Sequence, residues 1–324
     1  MKVSEIGEFG LIERLSRLVG EPIEGEVWVG DDTAVIRAPS GTIFFTTDLL
    51  VEGVHFDLEL TGPADLGYKA LAVNISDVAA MGGTPRRAVS AVGVSPAAEV
   101  EWIENLYQGM RECADRFDMA VVGGDVSRSD CLVISISLIG NPAGRRVIER
   151  RGARVGDLVC VTGTLGASAA GYRLLRAGSR ERPDLLQAHL RPTPRVREVE
   201  ALRRQLPTAM IDVSDGLAAD IGHLCDASKV GVVVEAERLP LVDLSGVDLD
   251  RSPLELALGG GEDYELCFTI PADRAQAAAE AVRSATDTPV TVVGEIVDAA
   301  RGRTLVEGGG ERELEPAGWD HLKE

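Results

Sequence analysis

Short β-rich apolar runs alternate with apolar stripes of helical period along most of the chain, and this alternation limits the fold more than any other feature. Residues 42–47 are β-rich, and 64–81 then repeat Leu66, Ala70, Val73, Val78 and Met81 at helical spacing until Gly82 and Gly83 stop the pattern. A strand is predicted over 88–94, a helix over 99–117 with Val100, Ile103, Tyr107, Met110, Ala114 and Phe117 along one stripe, and strands over 119–122 and 132–139. A second series follows: strands over 158–162, 209–213, 230–236, 264–270 and 289–293, and helices over 167–177, 195–205 and 217–229. Between the two series, 141–156 turns to Pro, Gly and the arginines Arg145, Arg146, Arg150, Arg151 and Arg154, with no apolar period. The expected architecture is α/β, with two consecutive mixed α/β domains over 1–143 and 144–324. The length of 324 residues agrees with that division, since domains average roughly 150 residues.

Composition excludes several functions. A net charge of -19 with only four lysines, Lys2, Lys69, Lys229 and Lys323, disfavours nucleic-acid binding, which needs clustered cations to neutralise phosphates. The five cysteines are scattered and read as reduced core residues. The first twenty residues carry acids and no apolar core, so no signal peptide is expected there. No window approaches the about 18 apolar residues of a membrane span, and the expected compartment is the cytoplasm.

Carboxylates recur where apolar elements are expected to end: Gly30-Asp31-Asp32, Thr46-Thr47-Asp48, Gly123-Gly124-Asp125 and Asp212-Val213-Ser214-Asp215. Asn74 and Asp77, three residues apart, share a helix face. Any one of these aspartates serves equally well as a helix cap or turn residue. Gathered in one cleft, they would repel one another unless divalent cations neutralised them. Such oxygen-rich sites suit Mg²⁺, which takes the rest of its octahedron from waters and substrate phosphates, with the hydroxyls of Thr46 and Thr47 as supplementary ligands. This chemistry points to phosphates handled through metal ions.

There is no P-loop segment and no protein-kinase signature. Gly163-Thr164-Leu165-Gly166 is either an anion cradle or a plain tight turn. A non-catalytic metal-binding module remains as an alternative, although no compact 12-residue calcium loop is present.

Taken in order, Gly7-Glu8-Phe9, Gly30-Asp31-Asp32, 46–56, Asn74-Ile75-Ser76-Asp77, Gly123-Gly124-Asp125, 212–216 and 260–266 resemble the thiamine-monophosphate kinase family. That family lies within the larger group that includes aminoimidazole ribonucleotide synthetase. The resemblance implies transfer of the γ-phosphoryl group of ATP, directly and in line, onto thiamine monophosphate, without a phosphoenzyme or an assigned base. It also implies an N-terminal domain that pairs with its copy into a homodimer β-barrel, a C-terminal α/β sandwich, and a nucleotide lying between the domains. Carried over residue by residue, Asp31, Thr46, Thr47, Asp48, Asp77, Asp125, Asp212 and Asp215 hold several Mg²⁺ ions. Tyr107, Gly124, Asp125, Arg150 and Ser214 contact ATP. His55, Glu262 or Asp263, and Trp319 contact the acceptor; an indole face suits a cationic thiazolium. Periodicity alone makes Tyr107 a core residue, and any of the junction arginines has the right chemistry for phosphate. Another ATP-using enzyme of the same superfamily is the nearest alternative. Against two such enzymes, the first cysteine is Cys113 and the tail carries none.

Overall fold

Two sheets divide the chain. The computed structural model describes residues 24–27, 31–38, 41–144 and 146–315. Trp319 and the segment Gly7-Glu8-Phe9 lie outside the described residues.

The first sheet contains β1 (Ala34–Ala38), β2 (Gly41–Val51), β3 (Gly83–Val94), β4 (Ala120–Arg128) and β5 (Val133–Pro142), in the order β1-β2-β5-β3-β4. Only the β3–β4 pair is parallel. One face of this sheet is covered by α1 (Pro63–Ala80) and α2 (Val100–Arg116), which bury Phe44, Ala88, Val92, Ile134, Ile136 and Leu138. The opposite face leaves Phe45, Leu49, Val89 and Ile139 exposed.

The second sheet comprises β6 (Asp157–Thr162), β7 (Ala209–Asp212), β8 (Gly231–Glu235), β9 (Leu266–Pro271), β10 (Val290–Val297), β11 (Arg303–Glu307) and β12 (Gly310–Glu313). Its order is β12-β11-β8-β10-β6-β9-β7. Helices α3 (Ala167–Arg176), α4 (Pro183–Leu190), α5 (Val196–Leu202), α6 (Leu217–Ser228), α7 (Pro253–Gly259) and α8 (Ala272–Thr286) surround it. Strand alternation serves both faces. Met210 and Phe268 join the core shared with the N-terminal domain, whereas Ile211 and Cys267 face the separate core beneath α6 and α7. All five cysteines are free thiols.

Helix α1 is buried nearly all round, because the first sheet, α2 and the second domain press on it from different sides. Pro63 occupies its first turn, and Gly82, with φ +79, ends it in the left-handed conformation a side chain disfavours.

The structure corrects three sequence expectations. The segments 46–48 and 123–125 are not turns; they run inside β2 and β4, because ladder pairing continues to Val51 and Arg128. At Gly124 the chain needs a glycine since a Cβ would stand 1.8 Å from Ser90 O on the neighbouring strand. The buried stripe of α2 is Leu106, Gly109, Met110, Cys113 and Ala114, with Val100 exposed and Tyr107 only half-buried. Two glycines set that rotation: a Cβ on Gly109 would stand 1.8 Å from Ala64 O, and one on Gly67 the same 1.8 Å from Leu106 O.

A helical Gly→Ala change normally stabilises by up to about 1 kcal/mol. At Gly109 the sign reverses, because the methyl overpacks the α1–α2 contact: we expect Gly109→Ala to lower the unfolding free energy by about 3 kcal/mol in urea titration.

Candidate active site

Four segments converge at the seam between the domains. Thr46 and Asp48 lie on the helix-covered face of β2, and Thr46 Oγ1 donates to Asp77 Oδ2 at 2.6 Å. From the same turn of α1, Ser76 Oγ donates to Asp212 Oδ2 at 2.5 Å, where β7 ends. Arg150, from the junction, forks onto Asp32 with Nη2–Oδ1 2.6 Å and Nε–Oδ2 3.2 Å, while its backbone N–H donates to Asp31 Oδ2 at 3.1 Å. Asp32, Asp77 and Asp212 each offer an oxygen within 4.8 Å of the others.

Burial dominates the electrostatics, and the crowding of carboxylates adds to it. Burial pushes Asp48 up to about 6. Burial, then Asp32, pushes Asp31 up to about 7, against the lowering effect of Arg150. Burial and Asp32 likewise raise Asp212 to about 8. Asp77 is raised well above the carboxylate range by burial and then by Asp48, Asp212 and Asp32. Asp48 Oδ2 is buried without a hydrogen-bond partner among the described residues.

The next turn is tied down by a backbone zipper. Val213 N donates to Glu265 O, Tyr264 N to Val213 O and Glu262 N to Ser214 O, so 260–266 runs alongside 212–216. Ser214 and Asp215 therefore border the acidic cluster, and Asp220 Oδ2 accepts from Asp215 N at 3.1 Å to hold that turn. Glu262 and Asp263 diverge. Glu262 meets Lys69 Nζ at 2.8 Å, and His55 lies close enough to act on its charge. Asp263 instead accepts from Gly166 N at 2.6 Å and Ser168 N at 3.1 Å, capping the start of α3. Gly163 and Gly166, at φ +59 and +86, thus form the turn that receives this carboxylate.

Tyr107, Gly124 and Asp125 lie elsewhere. They line a cavity of about 670 Å³ between α2 and the β4 edge, together with Met110 and Met119. Asp125 is registered with Ala91, Ser135 and Leu49 on the exposed face of the sheet. That places it three strand spacings, about 14 Å, from β2 and on the side opposite Asp48. Thr47 is on the exposed face too, donating to Ile136 O at 2.9 Å.

Comparison with known proteins matches this arrangement. The AIR synthase related protein N-terminal domain matches 30–141, and the corresponding C-terminal domain matches 154–307. The thiamine-monophosphate kinase of Aquifex aeolicus (strain VF5) is 38% identical over 99% of this chain and 100% of its own. That of Salmonella typhimurium is 39% identical over 98% of each. The solved structure of AaThiL complexed with AMPPCP and TMP superposes with a TM-score of 0.86 at 37% identity, covering 99% of both chains.

The chain belongs to the thiamine-monophosphate kinase family.

As a member of this family, the chain brings together Asp31, Thr46, Asp48, Asp77, Arg150, Asp212, Ser214 and Asp215, and keeps Tyr107, Gly124 and Asp125 apart from them. Three features escaped the sequence. Asp32, rather than its neighbour Asp31, stands in the three-carboxylate group; in a turn, adjacency does not reveal which side chain faces inward. Ser76 and Asp220, supports of Asp212 and Asp215, sit on helical positions that periodicity assigns to packing. Lys69 is 3% exposed on α1, and as one of only four lysines, placed inside an apolar stripe, it was a signal available in advance.

The donor set fits a divalent cation: oxygens only, converging within 4.8 Å, with an unpartnered Asp48 oxygen beside them. Because the folded values for Asp31, Asp48 and Asp212 stand above 3.8, the metal-free fold binds more protons than the unfolded chain between about pH 4 and 8. Its stability accordingly falls as pH rises through that window, while metal affinity grows. We expect the Tm in EDTA to drop from pH 5 to pH 8 and the Mg²⁺-induced rise in Tm to increase over the same range. Asp212→Asn should flatten the first trend and shrink the second, as read by scanning calorimetry.

Proposed function

We propose that this chain transfers the γ-phosphoryl group of ATP onto thiamine monophosphate, forming thiamine diphosphate. The observation that carries the reading is the convergence of Asp32, Asp77 and Asp212 with Arg150 at the domain seam, bordered by Ser214, whose carbonyl accepts from Glu262 N. It is supported by the relative whose structure holds AMPPCP and TMP.

Asp32, Asp77 and Asp212 would hold Mg²⁺ together with Asp31, Thr46, Asp48 and Asp215 of the same chain, while Thr47 and Asp125, whose side chains lie on the outer face of the first sheet, would reach a metal only across the dimer. When bound, the ions supply charge neutralisation of the phosphates and polarisation of their oxygens. The residues of the chain do the rest by placement. Ser76 and Thr46 aim Asp212 and Asp77 into the cleft, and Arg150, held protonated because Asp32 and Asp31 outweigh its burial, orients Asp32 and presents a guanidinium for a phosphate oxygen. An acceptor phosphate oxygen is already ionised at neutral pH, so the transfer is direct and no side chain acts as base.

The reading includes a homodimer. Phe45, Leu49, Val89 and Ile139 form an exposed apolar face, and β4 is an open edge carrying Val122 and Val126 at 60% and 65% exposure. Apolar faces of this kind mark association surfaces. We assign the Tyr107–Gly124–Asp125 cavity of one protomer to the nucleotide that serves the acidic cluster of its partner, since within one chain the Asp125 carboxylate stands three strand spacings from β2 and on the face opposite Asp48. The domain division 1–143 and 144–324 and a cytoplasmic location belong to the same proposal. The five free thiols support that location, and no helix among the described residues is long and apolar enough to cross a membrane.

A coupled assay tests the activity: ADP and thiamine diphosphate should appear in equal amounts with ATP, Mg²⁺ and thiamine monophosphate, and neither with free thiamine. EDTA should abolish both, and Asp212→Asn should cost at least the about 100-fold seen for supporting residues of metal sites. ADP formed only with another acceptor would reject the substrate. For the dimer, mixing inactive Asp125→Asn and Asp212→Asn proteins should recover part of the wild-type rate through heterodimers carrying one intact site; no recovery places both groups in a single chain's site.

A further inference from the structure

We propose that Lys69 is a positioning residue of the acceptor pocket, tying Glu262 of the C-terminal domain to the central helix of the N-terminal domain. This rests on the kinase reading above, in which Glu262 faces the acceptor.

Lys69 is 3% exposed, and Glu262 Oε1 at 2.8 Å is its ion-pair partner among the described residues. A buried ammonium persists only where a carboxylate compensates it, so the pair is mutually required. Glu262 Oε2 lies 3.3 Å from His189 Nδ1. Burial, then the Lys69 charge, pushes His189 down to about 3, leaving it neutral, with Nδ1 3.1 Å from Ser168 Oγ: a wall beside Glu262, not a second counter-ion. Glu262 itself has φ +60, between Gly261 at +63 and Tyr264 at +51. Such left-handed backbone in non-glycine residues survives only where the surroundings impose it. Here the zipper to Ser214 holds the main chain, and Lys69 holds the side chain.

The helix supplies the scale. Lys69 precedes Ser76 by seven residues, two turns, so both project from one side of α1 toward the C-terminal domain. Asp77 follows Lys69 by eight positions, about 12 Å of helix axis. One rigid helix therefore fixes the separation between the Glu262 carboxylate and the metal-binding carboxylates. An acceptor with a cationic ring at one end and a phosphate at the other would be measured along it. The Glu262 side chain keeps 35% of its surface exposed, which leaves part of the carboxylate available to the ring.

The test compares Lys69→Met, Lys69→Arg, Glu262→Gln and the Lys69→Met/Glu262→Gln double variant in the full-length protein. Each is checked for folding by circular dichroism and for nucleotide affinity by titration with ATP and Mg²⁺. Lys69→Met should raise KM for thiamine monophosphate at least about tenfold with KM for ATP within about twofold of wild type, and Lys69→Arg should restore most of that loss. The double variant should be no worse than the poorer single variant, as expected for groups acting through one another. A folded Lys69→Met protein with an unchanged acceptor KM, or with equal losses toward both substrates, overturns the proposal. Wild-type protein that turns over no thiamine monophosphate would overturn the kinase reading instead, an outcome read from a separate arm.

Discussion

Three carboxylates within 4.8 Å of one another in a poorly solvated cleft are the constraint around which the molecule is arranged. At an effective dielectric near 20, each fully ionised pair at that separation repels by roughly 3 kcal/mol. The metal-free fold lessens this by taking up protons, by the Arg150 fork on Asp32, and by hydroxyl hydrogen bonds from Ser76 and Thr46. What would be a defect in a structural core is thus a held charge deficit, and a divalent cation is the natural relief for it. The same arithmetic explains the disposition of the arginine-rich junction: Arg150 is drawn inward to the aspartates, while Arg151 pairs with Glu149 at the surface.

Helix α1 makes the arrangement possible. It is enclosed by the first sheet, α2 and the second domain, so its buried polar groups have fixed directions. Ser76 reaches β7, Asp77 reaches β2, and Lys69 reaches the 260–266 loop. Domain packing and site assembly are consequently one event, and the reciprocal glycine contact with α2 serves the site from a distance by seating the helix. The outer face of the first sheet is the counterpart. It is apolar where a monomer would be polar, and it carries Asp125 and Thr47 on the side away from α1.

Most elements were legible because their apolar period was strong: α1, α2, α6 and the central strands fall within a few residues of their expected ends. The missed ones had other signals. Helix α8, Ala272–Thr286, is alanine-rich with little apolar stripe, so propensity and not periodicity marks it. Helix α7 opens on a capping box between Ser252 and Glu255, a local code with too short an apolar run behind it. Strands β1, β11 and β12 are short, four or five residues each, which leaves too brief an alternation to mark them.

By itself the sequence determined the α/β class, the oxygen-rich chemistry of the site and the family resemblance, because each depends on residue type, spacing or order. Tertiary structure alone decided that Asp32 enters the three-carboxylate group, that Glu262 pairs with Lys69 while Asp263 caps α3, and that Asp125 stands on the far side of the sheet from Asp48. These are questions of which way a side chain points and which strand lies beside which. A strand's two faces alternate with every residue, and a turn's directions follow from packing against segments a hundred or more positions away, as when Ser76 meets Asp212.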